Sequence, residues 1–191
     1  MGCWGITSFE SDSGLDAVST IRGAIPENGQ MDIAQVIKVM RKDDWCVPDA
    51  SLGHSHSGPI ALADVLGKLY DGDLSRLDYD DDWADDDNKF ASLTACTVDK
   101  DSLGWLRGYL AETLRLRRAD ADRWAQQGED TSSAFRKEWS GWREKEDWLG
   151  WQDYISSLVG RLDGFLAMQA ESIDLLAAKS PVEEQGMEQT I

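Results

Sequence analysis

Residues 102–127 read Ser-Leu-Gly-Trp-Leu-Arg-Gly-Tyr-Leu-Ala-Glu-Thr-Leu-Arg-Leu-Arg-Arg-Ala-Asp-Ala-Asp-Arg-Trp-Ala-Gln-Gln, and their periodicity decides the fold class. Leu103, Leu106, Leu110 and Leu114 recur at intervals of three and four, and the series continues to Ala121 and Trp124. At about 100° per residue these side chains share one face of a helix. Trp105, Tyr109 and Leu116 fall nearly opposite them, so the helix is expected to be covered on two sides. Gly128 and the stretch Glu129-Asp130-Thr131-Ser132 mark its end and the next cap.

The tryptophans that follow, Trp139, Trp142, Trp148 and Trp151, cannot lie on one continuous helical face, because their angular positions spread over most of the circle. A break between Arg143 and Trp148 is implied. With Asp147 as a new N-cap, Trp148, Trp151, Ile155, Leu158, Leu162, Phe165, Leu166, Ile173 and Leu176 fall within an arc of about 100°. This predicts a long C-terminal helix of about 30 residues. The indoles of this segment bury large area and are expected to form core at a helix junction, the other readings being an interface or a stacking platform.

Three shorter helices are predicted upstream. One starts near Asp12 or Ser13 and carries Leu15, Val18 and Ile21, and Pro26 and Gly29 end it. A second has Asp32 as N-cap and aligns Ile33, Val36, Ile37 and Met40, with Arg41 and Lys42 complementing the dipole at its end. A third begins at Pro59, whose fixed φ suits the first turn, and runs through Ile60, Ala63, Leu66 and Leu69 to Gly72. Residues 90–98 alternate loosely and form the one candidate strand, expected to pair, if at all, with the N-terminus. The fold class is therefore mainly α: one helical domain over residues 1–179 with a long C-terminal helix, a minor β element, and a disordered tail over 180–191.

Charge narrows the function. The 191 residues hold 36 acidic and 19 basic side chains, a net charge of −17, and residues 71–89 alone carry −7 while 102–148 balance. Backbone binding to nucleic acid needs a positive surplus, and the only basic cluster, Arg115, Arg117 and Arg118, is offset by Asp120 and Asp122. No apolar run reaches the roughly 18–20 residues of a membrane span, and no basic-then-apolar leader opens the chain. Cys3, Cys46 and Cys96 suit neither a disulfide framework nor a CxxC site. Met1-Gly2-Cys3 invites N-terminal acylation, but Ile6 stands where that motif needs Ser or Thr. A cytoplasmic protein is expected.

The opening Met1-Gly2-Cys3-Trp4-Gly5-Ile6-Thr7-Ser8-Phe9-Glu10-Ser11-Asp12, followed by Leu15-Asp16, resembles the start of a family of uncharacterised bacterial proteins that begin Met-Gly-x-Trp-Gly and continue with Phe, an acidic or amide residue and Asp, and then a helix. The resemblance covers about the first 25 residues, with a weaker likeness at Ala61–Leu66, and implies no activity. Physically, the glycines let the backbone pass close to Trp4 while Phe9 packs before the helix that Asp12 caps. Read as a site, Trp4 and Phe9 would floor a pocket with Glu10, Asp12 and Asp16 at its mouth.

His54 and His56 have metal-ligand spacing, and Asp49 or Asp64 could complete a zinc set. The alternative is a polar loop leading into a helix cap. The acidic run fails the helix–loop–helix calcium pattern, because the sixth position from Asp78 is Trp83 and the twelfth is Lys89. No cofactor is predicted, and a divalent cation is the inorganic ligand either cluster would take. Read as an interface, Tyr79, Asp80, Asp81, Asp82, Trp83, Asp85, Asp86 and Asp87 place aromatic anchors inside an acidic rim that would match a basic protein partner. No phosphate loop, GxSxG elbow or HExxH is present in the sequence. The expected function is thus an acidic bacterial interaction module that binds a basic partner, immunity-like or mimicking nucleic-acid charge. The competing classes are a metal-dependent or hydrolytic enzyme near His54 and His56, and a homo-oligomer built through surplus Trp surface.

Overall fold

The structure is a computed structural model and describes residues 2–52, 56–78, 89–127, 136–168 and 170–177. His54, the run from Tyr79 to Asp87, the expected cap at 129–132 and the tail 180–191 lie outside the described residues. The described chain is mainly helical, with α1 (Asp12–Gly23), α2 (Ile33–Met40), α3 (Ser57–Asp71), α4 (Lys100–Gln127) and α5 (Lys145–Leu166). A small sheet joins β1 (Gln30–Asp32), β2 (Ala95–Asp99) and β3 (Ser172–Asp174) in that spatial order.

Local chemistry explains most boundaries. Ser11 caps α1 by accepting a hydrogen bond from the Gly14 amide, and Asp32 caps α2 through the Ala34 amide. Each satisfies one of the amides that a helix start leaves without a partner. Gly72 ends α3 in the left-handed conformation, and Glu146 and Asp147 stand in the first turn of α5, where they complement the helix dipole. The expected break before Trp148 is present, although α5 starts at Lys145 and its N-cap is Glu144 instead of Asp147.

α4 is the longest helix, with 28 residues, and it runs along α5 and against α3 and α2. Leu103, Leu106 and Leu110 are fully buried on one face. Its opposite face is half-covered as the sequence implied: the Arg41 guanidinium lies over Trp105, and the Tyr109 hydroxyl donates to the Pro48 carbonyl at 2.6 Å. On α5, Trp148, Trp151, Ile155, Leu158, Leu162 and Phe165 are buried, and the first two indoles stack at 5.5 Å. Trp139 and Trp142 pack against this core from the rim.

Two expectations are corrected. The C-terminal helix ends at Leu166, after 22 residues, and β3 follows. Ile173 fits a continued helix by angle, but Ile173 and Leu175 are both buried at a spacing of two, which is strand geometry. Asp174 fixes the arrangement: its carboxylate accepts from the Cys96 amide at 3.1 Å and the Leu176 amide at 3.0 Å, while the Leu175 amide donates to the Cys96 carbonyl at 2.9 Å. The strand over 90–98 likewise finds other partners than the N-terminus. β2 pairs parallel with β1, Met31 opposite Cys96, and antiparallel with β3, Val98 opposite Ile173. The four side chains just named are all buried. The N-terminal segment instead folds back on itself, Trp4 donating to the Glu10 carbonyl at 2.9 Å and Asp12 to the Gly2 carbonyl at 3.0 Å.

Candidate functional site

A cavity of about 460 Å³ opens where this N-terminal loop meets the starts of α1 and α3, the C-terminal half of α4 and the first turns of α5. The loop supplies Gly5, Ile6, Thr7 and Ser8; His56, Ser57 and Ile60 come from the start of α3. Arg117 enters from α4, and Ser140, Trp142 and Trp151 close the remaining side. A volume in this range suits a small organic molecule.

Two close approaches shape the walls. At Gly14 in α1 an added Cβ would stand 1.7 Å from the Ser8 carbonyl oxygen, and at Gly58 in α3 it would stand 2.0 Å from the Cys46 carbonyl oxygen. Only glycine lets the backbone come so near. The loop is then locked by a half-buried polar node. The Ser8 amide donates to the Tyr154 hydroxyl at 3.1 Å, and the Tyr154 and Ser8 hydroxyls each donate to the Asp64 carboxylate at 2.7 Å. Burial and the Asp64 charge push the Tyr154 hydroxyl well above the usual phenol range.

The acidic residues beside the cavity are turned to its support. The Glu10 carboxylate accepts from the Thr7 amide at 3.0 Å and the Thr7 hydroxyl at 2.8 Å, which holds it below the ordinary glutamate range. Asp12 accepts from the Gly2 amide at 2.5 Å, Asp64 belongs to the Tyr154 node, and Asp16 is exposed on α1. None of the sixteen lining residues described is Asp or Glu, in a chain with 36 of them. Trp4 and Phe9, read from the sequence as the pocket floor, do not line it: Trp4 is 57% exposed, and Phe9 is buried in the core with the Lys68 ammonium over its ring.

His56 lines the cavity but does not meet the expected metal partners. It is buried, adopts a left-handed conformation with φ 52°, and its Nδ1 lies 2.8 Å from the Tyr109 hydroxyl. Since that hydroxyl donates to Pro48, the imidazole Nδ1–H is the donor in the pair. Asp49 is exposed and caps Ser51 through that residue's amide and hydroxyl, contacts that hold its carboxyl below the ordinary range. Asp64 is committed elsewhere. Among the described residues, no three His, Cys, Asp or Glu side chains are placed to hold a metal ion.

A second surface stands on the segment between α2 and α3. Trp45 is 74% exposed in a depression of about 390 Å³ whose other walls are Asp44, Pro48, Asp49 and Leu52. The segment is firmly built: the Cys46 and Val47 amides both donate to the Asp43 carbonyl at 3.0 Å, the Trp45 amide donates to the Asp43 carboxylate at 2.9 Å, and Tyr109 holds Pro48. Farther along, Leu77 and Phe90 are buried, and the Asp78 carboxylate accepts from the Phe90 and Ala91 amides at 2.9 and 2.8 Å. The two flanks of the acidic run are therefore pinned together.

Sequence reasoning missed Arg117 and Trp45. Arg117 reads as one of a small, charge-balanced basic cluster, and only the fold separates it from Arg115 and Arg118, which pair with Glu112 and Gln152. Trp45 reads as an isolated loop aromatic, and its one signal is the flanking acids Asp43, Asp44 and Asp49. None of the family models, curated proteins or solved structures compared with the chain matches it. No helix among the described residues is long and apolar enough to cross a membrane.

Proposed function

We propose that the protein is an acidic interaction module that binds a basic protein partner. The observation that carries this reading is Trp45, an indole 74% exposed on a hydrogen-bonded loop between exposed carboxylates, in a chain of net charge −17. An indole face attracts the guanidinium or ammonium of a partner by about 0.5–2 kcal/mol, more as water is excluded. Asp43, Asp44 and Asp49 supply the surrounding negative potential. Arg41, whose guanidinium lies over Trp105, and Lys42 stand beside these three carboxylates, which leaves residues 41–49 at a net charge of −1. The run Tyr79–Asp87, with its pinned flanks, adds a second source of negative charge that would steer a basic surface toward the molecule.

Titration with a synthetic arginine-rich peptide tests this reading. Affinity is expected to fall steeply as salt rises, because exposed charges are screened over about 10 Å at 0.1 M. Trp45→Ala is expected to weaken binding by roughly tenfold, in line with the loss of one stacked cation. An affinity independent of salt, or one unchanged by Trp45→Ala, overturns the assignment of this surface. Loss of binding only when Tyr79 and Trp83 are replaced does so as well, by moving the contact to the acidic run.

A further inference from the structure

The cavity at the N-terminal loop has chemistry opposite to that of the rest of the molecule. Its described lining holds no carboxylate, and its one full charge is the Arg117 guanidinium. That side chain is 15% exposed, so its charge stands mostly out of water, and its Nε has no hydrogen-bond partner among the described residues. Its Nη2 lies 3.3 Å from the Asp120 carboxylate and 3.5 Å from the Ser51 carbonyl oxygen. Asp120 is shared with a second guanidinium, that of Arg123, so one negative charge faces two positive ones. Burial lowers the Arg117 pKa, because an under-compensated cation away from water is disfavoured. The start of α3, which has no acidic residue in its first turn, stands on the same cavity and adds partial positive charge. The lining also includes apolar and aromatic side chains, Ile6, Ile60, Trp142 and Trp151.

We infer that this cavity binds a planar organic monocarboxylate, its carboxylate at Arg117 and its ring against the Trp142 and Trp151 indoles. The carboxylate matches the planar guanidinium fork and supplies the missing counter-charge. The ring replaces water on an apolar wall and gains stacking contact. A single negative charge fits the single surplus cation. A compact dianion such as phosphate would leave the apolar and aromatic lining uncovered and carry more negative charge than the one cation there balances.

The test uses the full chain and three probes: 1-naphthoate, its neutral counterpart 1-naphthamide, and inorganic phosphate, each titrated by calorimetry. Naphthoate is expected to bind to one site, more tightly than naphthamide by at least tenfold, and phosphate is expected not to bind. Arg117→Met should remove the preference for naphthoate while leaving naphthamide binding in place, which also shows that the variant is folded. Trp142→Leu should weaken both aromatic probes together. Equal affinity for naphthoate and naphthamide, tighter binding of phosphate, naphthoate affinity unchanged by Arg117→Met, or no binding of naphthoate would each overturn the inference.

Discussion

The cavity and the Trp45 surface are built from the same kinds of residue, an exposed or half-exposed indole beside ionised groups, yet they present opposite charge. At the cavity, carboxylates are turned back into the wall as acceptors for the loop's amides and hydroxyls, and the charge left facing the space is positive. At Trp45, the Asp43 and Asp49 carboxylates also accept hydrogen bonds, from the Trp45 amide and from Ser51, but both stay exposed beside the indole. Net charge therefore says little about a particular site. What a carboxylate contributes depends on whether it is turned back into a wall or stays exposed to solvent beside the site.

Substitutions should separate the two regions, and the largest effect is expected at the cavity wall. Trp151 is 8% exposed and stacked on Trp148, so Trp151→Ala should cost about 3–5 kcal/mol in denaturant unfolding. A cost below about 1 kcal/mol would mean that the wall is not continuous with the core. Next is Tyr154→Phe, which strips an acceptor from the Ser8 amide and a donor from Asp64, at about 1–3 kcal/mol. Amide exchange at Ser8 should accelerate, and an unchanged rate would show that the node does not hold the loop.

A pH titration sharpens the contrast further. Glu10 is held below its ordinary range, first by the Thr7 amide and then by the Thr7 hydroxyl. Its contribution is therefore fully present above the unfolded-state value and is lost as pH falls through the lower folded value. Glu10→Gln should flatten the acid limb of the stability curve, and an identical limb in both proteins would show that the loop does not depend on this carboxylate. Thiol labelling gives a related comparison at mildly alkaline pH. Cys3 is exposed on the cavity loop, whereas burial pushes Cys46, behind the Trp45 segment, up to about 11 and Cys96 up to about 12. Native protein should accept one alkyl group quickly, at Cys3, and rapid labelling of Cys46 would mean that the Trp45 segment opens. The smallest effect is expected from Trp45→Ala, within about 0.5 kcal/mol of the parent stability, since an exposed side chain carries little of the core.

Much of the helical framework was legible in the sequence because local signals and burial agree there. Leu103, Leu106 and Leu110 share a face and are buried on it; Asp32 caps α2 and Gly72 ends α3 as their chemistry requires. Of the sheet only β2, Ala95–Asp99, was legible, within the candidate strand over 90–98; β1 and β3 have three residues each and carry almost no period of their own, and β3 imitates a continuing helix through the angle of Ile173. The cavity was half legible. The loop at Gly5–Ser8 and the residue His56 stood out separately, but no spacing in the chain places them beside Arg117. Phe9 and Asp64 looked available for a site, and it is long-range packing, under Lys68 and against Tyr154, that removes them from one.

The order of the sheet bears on how the chain is made. Its central strand, β2, can pair with β1 as soon as both have left the ribosome, but its other edge is covered only by β3, whose residues are added about 75 positions later. At a synthesis rate of about 5–20 residues per second, that edge stays open for roughly 4–15 s. During this interval the nascent chain displays an unpaired strand edge beside the still-exposed Val98. Such an edge is where a neighbouring chain on the same message could add a strand of its own, or where a chaperone would find its grip.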